Sequence, residues 1–213
     1  MEDLIIICAG GVGKETAMLV EAINERKPVW NLLGFVDDNP DIQNTNVNGF
    51  KVLGGIDYLE NCKNVHVVCA IANYVNKKNI VEKVQKYKVR FANIIHPDVH
   101  LSGTDTVGED VIIYPEVIIT TNVKLGDHVI ISPKCGIGHE SVIEDYSVLL
   151  WNVNVSGNVR IGEGSIIGTG ATMIQNINIG RGCTIGAGTV VIRDTGEGGT
   201  YVGVPARRVH AAL

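Results

Sequence analysis

A six-residue periodicity constrains the second half of this sequence more than any other feature. Every sixth residue from 95 to 191 is aliphatic or methionine, without a gap. These positions are Ile95, Leu101, Val107, Ile113, Ile119, Leu125, Ile131, Ile137, Ile143, Leu149, Val155, Ile161, Ile167, Met173, Ile179, Ile185 and Val191. The fourth residue after each, from 111 to 189, is Val, Ser, Cys, Ala, Ile or Thr. Such a period matches neither the 3.6-residue repeat of an α-helix nor the alternation of a half-buried strand.

A period of six is typical of a β-solenoid, in which each hexapeptide forms one short strand and one turn. Three hexapeptides then make a triangular coil of about 18 residues, and the aliphatic side chains stack down its interior. Glycine directly follows the aliphatic residue in several repeats, and we expect these glycines to relieve the turns. The period alone leaves the handedness of the coil open.

The first ninety residues differ in character from the repeat. Short apolar runs predict strands at residues 4–8, 31–36, 65–72 and 91–95, and helices are predicted at residues 14–24 and 79–87. Alternation of buried strands with helices favours a parallel sheet of βαβ units. We therefore predict a Rossmann-like α/β domain at residues 1–92, followed by an all-β parallel β-helix at residues 93–213.

A glycine-rich loop, residues 9–13, joins the first predicted strand to the first helix. It does not match a P-loop, because Cys8 and Glu15 stand where that motif requires Gly and Ser or Thr. It does not match the dinucleotide fingerprint either, because Thr16 replaces the third glycine. A glycine turn at a helix N-terminus still presents N–H groups to an anion.

Asp37 and Asp38 follow the second predicted strand, where ligands bind in open α/β sheets. Their carboxylates can accept hydrogen bonds from a ribose or a base. The alternative is that residues 9–13 form a plain tight turn and that both acids are simply solvated.

Composition excludes several classes of function. The formal net charge of −5 argues against a nucleic-acid-binding face. No apolar run approaches the ~20 residues of a membrane span, and the N-terminus lacks the pattern of a signal peptide. The five cysteines fit no metal-ligand spacing. We therefore expect a cytoplasmic protein with reduced thiols, no metal and no nucleic-acid partner.

The repeat resembles that of the bacterial hexapeptide acyltransferases, and the ending Gly203-Val204-Pro205-Ala206-Arg207 is similar to the G-x-P-A-[KR] ending common among them. With the glycine loop and the Asp37-Asp38 pair, the whole chain resembles sugar acetyltransferases that modify UDP-linked 4-amino sugars or sialic acid. The resemblance implies a left-handed β-helix, a homotrimer, and acetyl-CoA bound in the groove between subunits.

His139 and Glu140 lie within the repeat, two and three residues after an inward position. The resemblance implies that His139 is the catalytic base, with Glu140 as its acidic partner. Histidine suits this role because its ordinary pKa lies close to working pH. Relatives often carry a second histidine nine residues after the base, where this chain has Val148. A backbone N–H or Asn152 would then have to polarise the thioester carbonyl.

The resemblance also implies the binding residues. The nucleotide-sugar contacts would be Gly10, Gly11, Val12, Asp37, Asp38 and Ala72, the last standing where relatives have glycine. The acetyl-CoA contacts would be Val148, Thr169 and Ala187.

The expected activity is acetyl-CoA-dependent N-acetylation of a nucleotide-linked amino sugar. Two alternatives stay open at this point. One is O-acetylation of a sugar such as sialic acid, and the other is a non-catalytic β-helix that serves only binding or assembly.

Overall fold

The computed structural model describes residues 1–209 and divides into two compact units, Met1–Pro97 and the chain from Asp98 onward. Along the described residues, no helix is both long enough and apolar enough to cross a membrane.

The first unit is built on a six-stranded sheet with the order β3-β4-β2-β1-β5-β6. The elements run β1 Glu2–Ile7, α1 Gly11–Arg26, β2 Trp30–Val36, β3 Asn46–Val47, β4 Phe50–Gly54, a 3₁₀ helix Ile56–Asn61, β5 His66–Cys69, α2 Tyr74–Val84, β6 Arg90–Phe91 and β7 Ile94–Ile95. All neighbouring pairs are parallel except the β3–β4 hairpin. The predicted parallel α/β architecture is therefore confirmed.

Hydrophobic patterning, a following proline and a side-chain cap explain where the two helices of this unit lie. The buried residues of α1 recur at helical spacing, and the helix ends one residue before Lys27-Pro28, where proline disfavours continuation. Helix α2 begins earlier than predicted because the Asn73 side chain caps it, accepting a hydrogen bond of 3.0 Å from the Asn76 N–H.

The second unit is a stack of two-residue strands, each ending on an inward residue of the six-residue repeat. They are β8 Thr106–Val107, β9 Ile112–Ile113, β10 Ile118–Ile119, β11 Lys124–Leu125, β12 Ile130–Ile131, β13 Gly136–Ile137, β14 Val142–Ile143, β15 Val148–Leu149, β16 Asn154–Val155, β17 Arg160–Ile161, β18 Ile166–Ile167, β19 Thr172–Met173, β20 Asn178–Ile179, β21 Thr184–Ile185 and β22 Val190–Val191. Strands β23 Thr200–Val202 and β24 Arg207–Val209 close the stack.

Each strand pairs in parallel with the strand three elements later, so that Ile112 faces Ile130 and Ile118 faces Gly136. The result is three sheets: β8-β11-β14-β17-β20, β10-β13-β16-β19-β22, and β9-β12-β15-β18-β21. The third sheet continues into β23, with β24 antiparallel to it. One coil therefore takes three hexapeptides, as the period predicted.

Two columns of side chains fill the interior of the coils. The inward residues from 113 to 191 are all buried, and so are the residues of the second column, every sixth position from 111 to 189. Polar members of the second column bond to a backbone carbonyl about one coil away, except Thr189, whose buried hydroxyl has no hydrogen-bond partner among the described residues. Ser141 donates to the Ser156 carbonyl at 3.0 Å, and Cys135 donates to the Leu150 carbonyl at 3.0 Å. The buried Ser141 hydroxyl and the buried Cys135 thiol are therefore both hydrogen-bonded, as is usual for polar groups in a protein interior.

The corners of the coils have a left-handed backbone, which was not predicted from the sequence. The third residue after each inward position, every sixth residue from 110 to 188, has a left-handed backbone with φ between 55° and 69°. Ten of these positions carry side chains despite the steric cost. They are Asp110, Glu116, Asn122, His128, Lys134, Glu140, Tyr146, Asn152, Asn158 and Asn176.

The glycines directly after the inward residues have a different role from the one expected. They are not at left-handed positions, but a Cβ at any of them would come within 2.2–2.8 Å of an atom in the following coil. They are Gly108, Gly126, Gly138, Gly162, Gly168, Gly180 and Gly186. These glycines permit close stacking of coils and do not relieve the turns.

Candidate functional site

The glycine loop lies at the carboxyl end of β1, beside the end of β2. Helix α1 begins at Gly11, and Gly10 precedes it without a side-chain cap. An added Cβ at Gly11 would meet no atom within 4 Å, so this turn is open to a ligand. Gly13 is different, because its Cβ would lie 2.0 Å from the Cys8 carbonyl oxygen. Gly13 therefore allows the helix to pack closely on the loop, while Gly10 and Gly11 are exposed.

Asp37 joins this loop to the end of β2. Its Oδ2 accepts a hydrogen bond of 2.9 Å from the Ala9 N–H, and its Oδ1 accepts one of 2.9 Å from the Asn39 N–H. Asp38 holds the next segment, because its Oδ1 accepts a hydrogen bond of 2.9 Å from the Ile56 N–H at the start of the 3₁₀ helix. The two acids thus connect the loop after β1, the loop after β2 and the start of the 3₁₀ helix, at the carboxyl ends of the strands.

A cleft of about 230 Å³ opens where β1, β2 and β5 end. Its lining includes Cys8, Asp37, Asp38, Ile56 and Ile71. Carboxyl strand ends of this kind are where open α/β sheets bind ligands. Of the predicted residues of this unit, Asp37 and Asp38 line the cleft and Ala72 directly follows the lining residue Ile71, whereas Gly10, Gly11 and Val12 do not belong to its lining.

Cys8 is the thiol in this cleft. Burial raises the pKa of Cys8, and the nearby Asp37 carboxylate raises it further against a lowering hydrogen bond from Gly10. A thiol with a raised pKa stays protonated near neutral pH and is a poor nucleophile. The cleft is therefore suited to binding and not to cysteine chemistry.

His139 and Glu140 form the second candidate site, at the corner between β13 and β14. Both side chains are more than half exposed. The Nδ1 of His139 is hydrogen-bonded to Oε2 of Glu140, the next residue, which has the left-handed backbone of the corner. With the Nδ1 proton directed to this carboxylate, Nε2 carries the lone pair of the neutral imidazole. The pair can therefore accept a proton at Nε2.

A second cleft, of about 250 Å³, borders Glu140 and continues over the two following coils. Its lining is mainly polar: Glu140, Val142, Asn158, Val159, Arg160, Asn176 and Asn178. Asn158 donates a hydrogen bond of 2.9 Å to the Asn176 amide oxygen. These amides offer donors and acceptors to a polar ligand beside His139.

Thr169 and Ala187 occupy the corner between β18 and β19 and the same corner one coil later. The Gly188 N–H donates a hydrogen bond of 2.8 Å to the Thr169 carbonyl. The side chains of Thr169 and Ala187 are both exposed. Trp151 stands at the same corner in the preceding coil and is 46% exposed. Val148 lies on β15 and is only 1% exposed, so its side chain gives no support to the predicted ligand contact.

Metal ligation has no visible basis in the described chain. Among residues 1–209, no group of three or more His, Cys, Asp or Glu side chains is placed to hold an ion.

Two family models match the sequence in separate regions. Residues 3–84 match the PglD N-terminal domain, and residues 106–139 match the bacterial transferase hexapeptide (six repeats). A comparison with the curated proteins found no match.

Solved structures match the chain over nearly its whole length. The acetyltransferase domain of PglB from Neisseria gonorrhoeae FA1090 is 31% identical, with 98% of this chain and 100% of that chain covered and a TM-score of 0.89. The same domain has been solved in complex with acetyl coenzyme A. WeeI from Acinetobacter baumannii AYE is 26% identical, with 98% and 100% covered and a TM-score of 0.86.

A third similar structure contains both CoA and a nucleotide sugar. It is a single-residue variant of perosamine N-acetyltransferase from Caulobacter crescentus, in complex with CoA and GDP-perosamine. It is 25% identical, with 99% of this chain and 98% of that chain covered and a TM-score of 0.89. The agreement over both units confirms the Rossmann-like sheet followed by a left-handed β-helix.

Proposed function

Because this chain belongs to the hexapeptide-repeat sugar acetyltransferases, which use acetyl-CoA as donor, we propose that it acetylates the amino group of a nucleotide-linked, UDP-type amino sugar. The coarser assignment, an acetyl-CoA-dependent sugar acetyltransferase, follows from family membership. The nucleotide, the acceptor nitrogen and the base are the proposed part.

The observation that carries the proposal is the hydrogen bonding and the exposure of the His139 side chain. Its Nδ1 is held by Glu140, and its ring lies on an exposed corner of the solenoid, where Nε2 can meet an acceptor. Attack on a thioester requires an acceptor nitrogen that loses its proton as the bond forms. His139 Nε2 takes this proton while the new C–N bond forms and the C–S bond breaks, and the proton then becomes available to the departing thiolate. A positioned base of this kind contributes about 10²–10⁴-fold.

We assign the acceptor to the N-terminal domain, residues 1–92. The exposed loop at Gly10, Gly11 and Val12 offers the α1 N-terminus to the diphosphate. Asp38 supplies the carboxylate oxygen for ribose or base, while Asp37 shapes the loop. Ala72 borders this region because it follows Ile71 of the cleft.

The β-helix domain, residues 93–213, would hold the donor. Thr169 and Ala187 present small exposed side chains on one corner, which suits a narrow extended ligand such as the pantetheine arm. Val148 is retained only as packing behind this region, since it is buried.

We further propose a cytoplasmic homotrimer. Exposed apolar side chains gather on the β10-β13-β16-β19-β22 sheet and its corners: Ile118, Trp151, Ile174 and Ile192. A cyclic assembly would bury them. The five cysteines are free thiols, which agrees with a reducing compartment.

The direct test is a screen of purified protein with acetyl-CoA against acceptors, read by release of the CoA thiol. The panel contains UDP- and GDP-linked 4-amino sugars, their non-amino parent nucleotide sugars, and free sialic acid. Turnover confined to the amino sugars supports the proposal. Turnover with sialic acid would replace it with O-acetylation, and no turnover with any acceptor would favour a binding module.

A further inference from the structure

Gly157 and His139 occupy the same corner of the β-helix in adjacent coils, 18 residues apart. The backbone joins them, because the Asn158 N–H donates a hydrogen bond of 2.7 Å to the His139 carbonyl oxygen. The column they share continues with Thr121 in the coil before and Gln175 in the coil after.

The imidazole of His139 lies directly against the Cα of Gly157. A Cβ added to Gly157 would lie 2.4 Å from Nε2, 2.5 Å from Cε1 and 2.9 Å from Cδ2. Real Cβ atoms do not approach other heavy atoms so closely, so the ring position shown here exists only while residue 157 has no side chain. The shortest of these contacts would be with Nε2, the atom that we propose accepts the proton.

The backbone offers no other reason for glycine at this point. Gly157 is not among the residues with a left-handed φ, so an L residue could adopt its conformation without strain. Equivalent positions of the column carry side chains, namely Thr121, Gln175 and Arg193. Neither strain nor the corner geometry therefore demands glycine, whereas the imidazole does.

We propose that Gly157 is a positioning residue that acts through His139, holding the imidazole where Glu140 can bind Nδ1 and leaving Nε2 open to the acceptor. This inference rests on the proposed role of His139 as base. Gly157 itself contacts neither proton nor substrate in this scheme. It fixes the direction in which the proton acceptor points.

The test is Gly157→Ala in the full-length chain. The His139 side chain is 57% exposed and can rotate away from the new methyl group, so folding should be preserved and the thermal midpoint little changed. The value of kcat should fall by about 10²-fold, within the range a general base contributes, while both KM values stay nearly constant. The acid limb of the pH profile of kcat/KM should weaken or vanish with it.

The matched control is Gly103→Ala, since a Cβ at Gly103 meets no atom within 4 Å and its φ is ordinary. This variant should behave as wild type. The double variant Gly157→Ala/His139→Ala should be no slower than His139→Ala alone, because a residue that acts only through His139 has nothing left to position.

Three outcomes overturn the inference. They are a Gly157→Ala enzyme with wild-type kcat and pH profile, a double variant slower than His139→Ala, or loss of the folded state. Wild-type activity in His139→Ala is a different failure, since it removes the proposed base whatever Gly157 does.

Discussion

Asp37 accepts a hydrogen bond of 2.9 Å from the Ala9 N–H and thereby ties the glycine loop after β1 to the end of β2. The other oxygen of its carboxylate accepts from Asn39. Asp38, its neighbour, uses Oδ1 for the Ile56 N–H, and its Oδ2 is the oxygen we assign to the nucleotide. Two adjacent acids that look equivalent in the sequence therefore hold different backbone segments.

The first prediction follows from this difference. Asp38→Asn keeps an oxygen for the Ile56 N–H but removes the charge, so it should raise the acceptor KM while leaving the acetyl-CoA KM and the thermal midpoint nearly unchanged. Steady-state kinetics with each substrate varied in turn provide the measurement. An equal rise in both KM values would contradict the assignment of Asp38 to the acceptor.

Asp37→Asn serves as the comparison. An amide has one oxygen for two N–H donors, and its NH₂ group would face the other donor. Leaving a partly buried N–H without an acceptor costs about 1–3 kcal/mol. This variant should therefore lower the thermal midpoint as well as weaken acceptor binding, which Asp38→Asn should not do.

The second prediction concerns the proposed base. His139→Ala should reduce kcat by about 10²–10⁴-fold without unfolding the protein, because the side chain is exposed and outside the core. Glu140→Gln should cost less, since glutamine can still accept a hydrogen bond from Nδ1 of His139. The acid limb of kcat/KM should disappear in His139→Ala. Near-normal kcat at neutral pH in this variant would place the base elsewhere.

The fold was largely predictable because its strongest signal is periodic. A repeat of six places Ile113, Ile131 and Leu149 one coil apart, and the observed pairing of β9, β12 and β15 follows from that spacing alone. Local signals were weaker in the first unit. The start of α2 at Tyr74 depended on the Asn73 cap, and the β3–β4 hairpin was not predicted, since β3 has only two residues.

Candidate site residues were predicted only where the chemistry of a side chain marks them. His139 and Glu140 are recognisable side chains next to each other, and Asp37 and Asp38 directly follow strand β2. Gly157 carries no chemistry and gains its role from the imidazole one coil away. The signal for it exists only after the 18-residue coil is known, because residue 157 then falls in the same column as residue 139. Val148 was assigned to acetyl-CoA only from the resemblance to relatives, and that resemblance did not indicate that its side chain is buried.

The third prediction is the oligomeric state. Light scattering should give three times the chain mass of 22.9 kDa. Ile118→Glu should shift the assembly toward monomer, because it places a charge on a side chain that is 67% exposed in one chain and proposed to be buried in the trimer. Met18→Glu is the control, as Met18 is 63% exposed on α1 and outside that sheet. A stable wild-type monomer at micromolar concentration would refute the trimer.

The fourth prediction tests a buried polar pair in the solenoid. His128 and Asp110 lie at the same corner in adjacent coils, with Nδ1 2.9 Å from Oδ2 and side chains 5% and 0% exposed. The His128 ring also stacks on Tyr146 at 4.5 Å. His128→Ala should lower the free energy of unfolding by about 3–5 kcal/mol, because it removes a hydrogen bond to a buried carboxylate together with the stacking on Tyr146.

An exposed ion pair provides the comparison for that measurement. Lys134 and Glu116 are 3.8 Å apart with more than half of each side chain exposed. Lys134→Ala should therefore change the free energy of unfolding by no more than about 1 kcal/mol. Similar losses in the two variants, measured by urea denaturation at one protein concentration, would show that burial does not strengthen the His128–Asp110 pair.

The fifth prediction concerns stability at alkaline pH. Burial raises the pKa of Cys135 from 9.0 to about 11, against lowering hydrogen bonds from Val153 and Asn152. In the unfolded chain the thiol ionises near its ordinary value, so above pH 9 the folded state binds more protons than the unfolded state. The stabilising contribution of the neutral thiol is complete below pH 9 and is lost as pH rises toward 11. The slope approaches about 1.4 kcal/mol per pH unit.

Cys135→Ser isolates this contribution. The serine hydroxyl can keep the hydrogen bond to the Leu150 carbonyl and does not ionise in this range, whereas tyrosine and lysine titrations are common to both proteins. Urea unfolding of both proteins at pH 8 and pH 10.5, at equal concentration, should show that the wild type loses more free energy of unfolding than the variant. The expected extra loss is about 2 kcal/mol. An unchanged difference between the two proteins at the two pH values would mean that Cys135 ionises in the folded chain as readily as in the unfolded one.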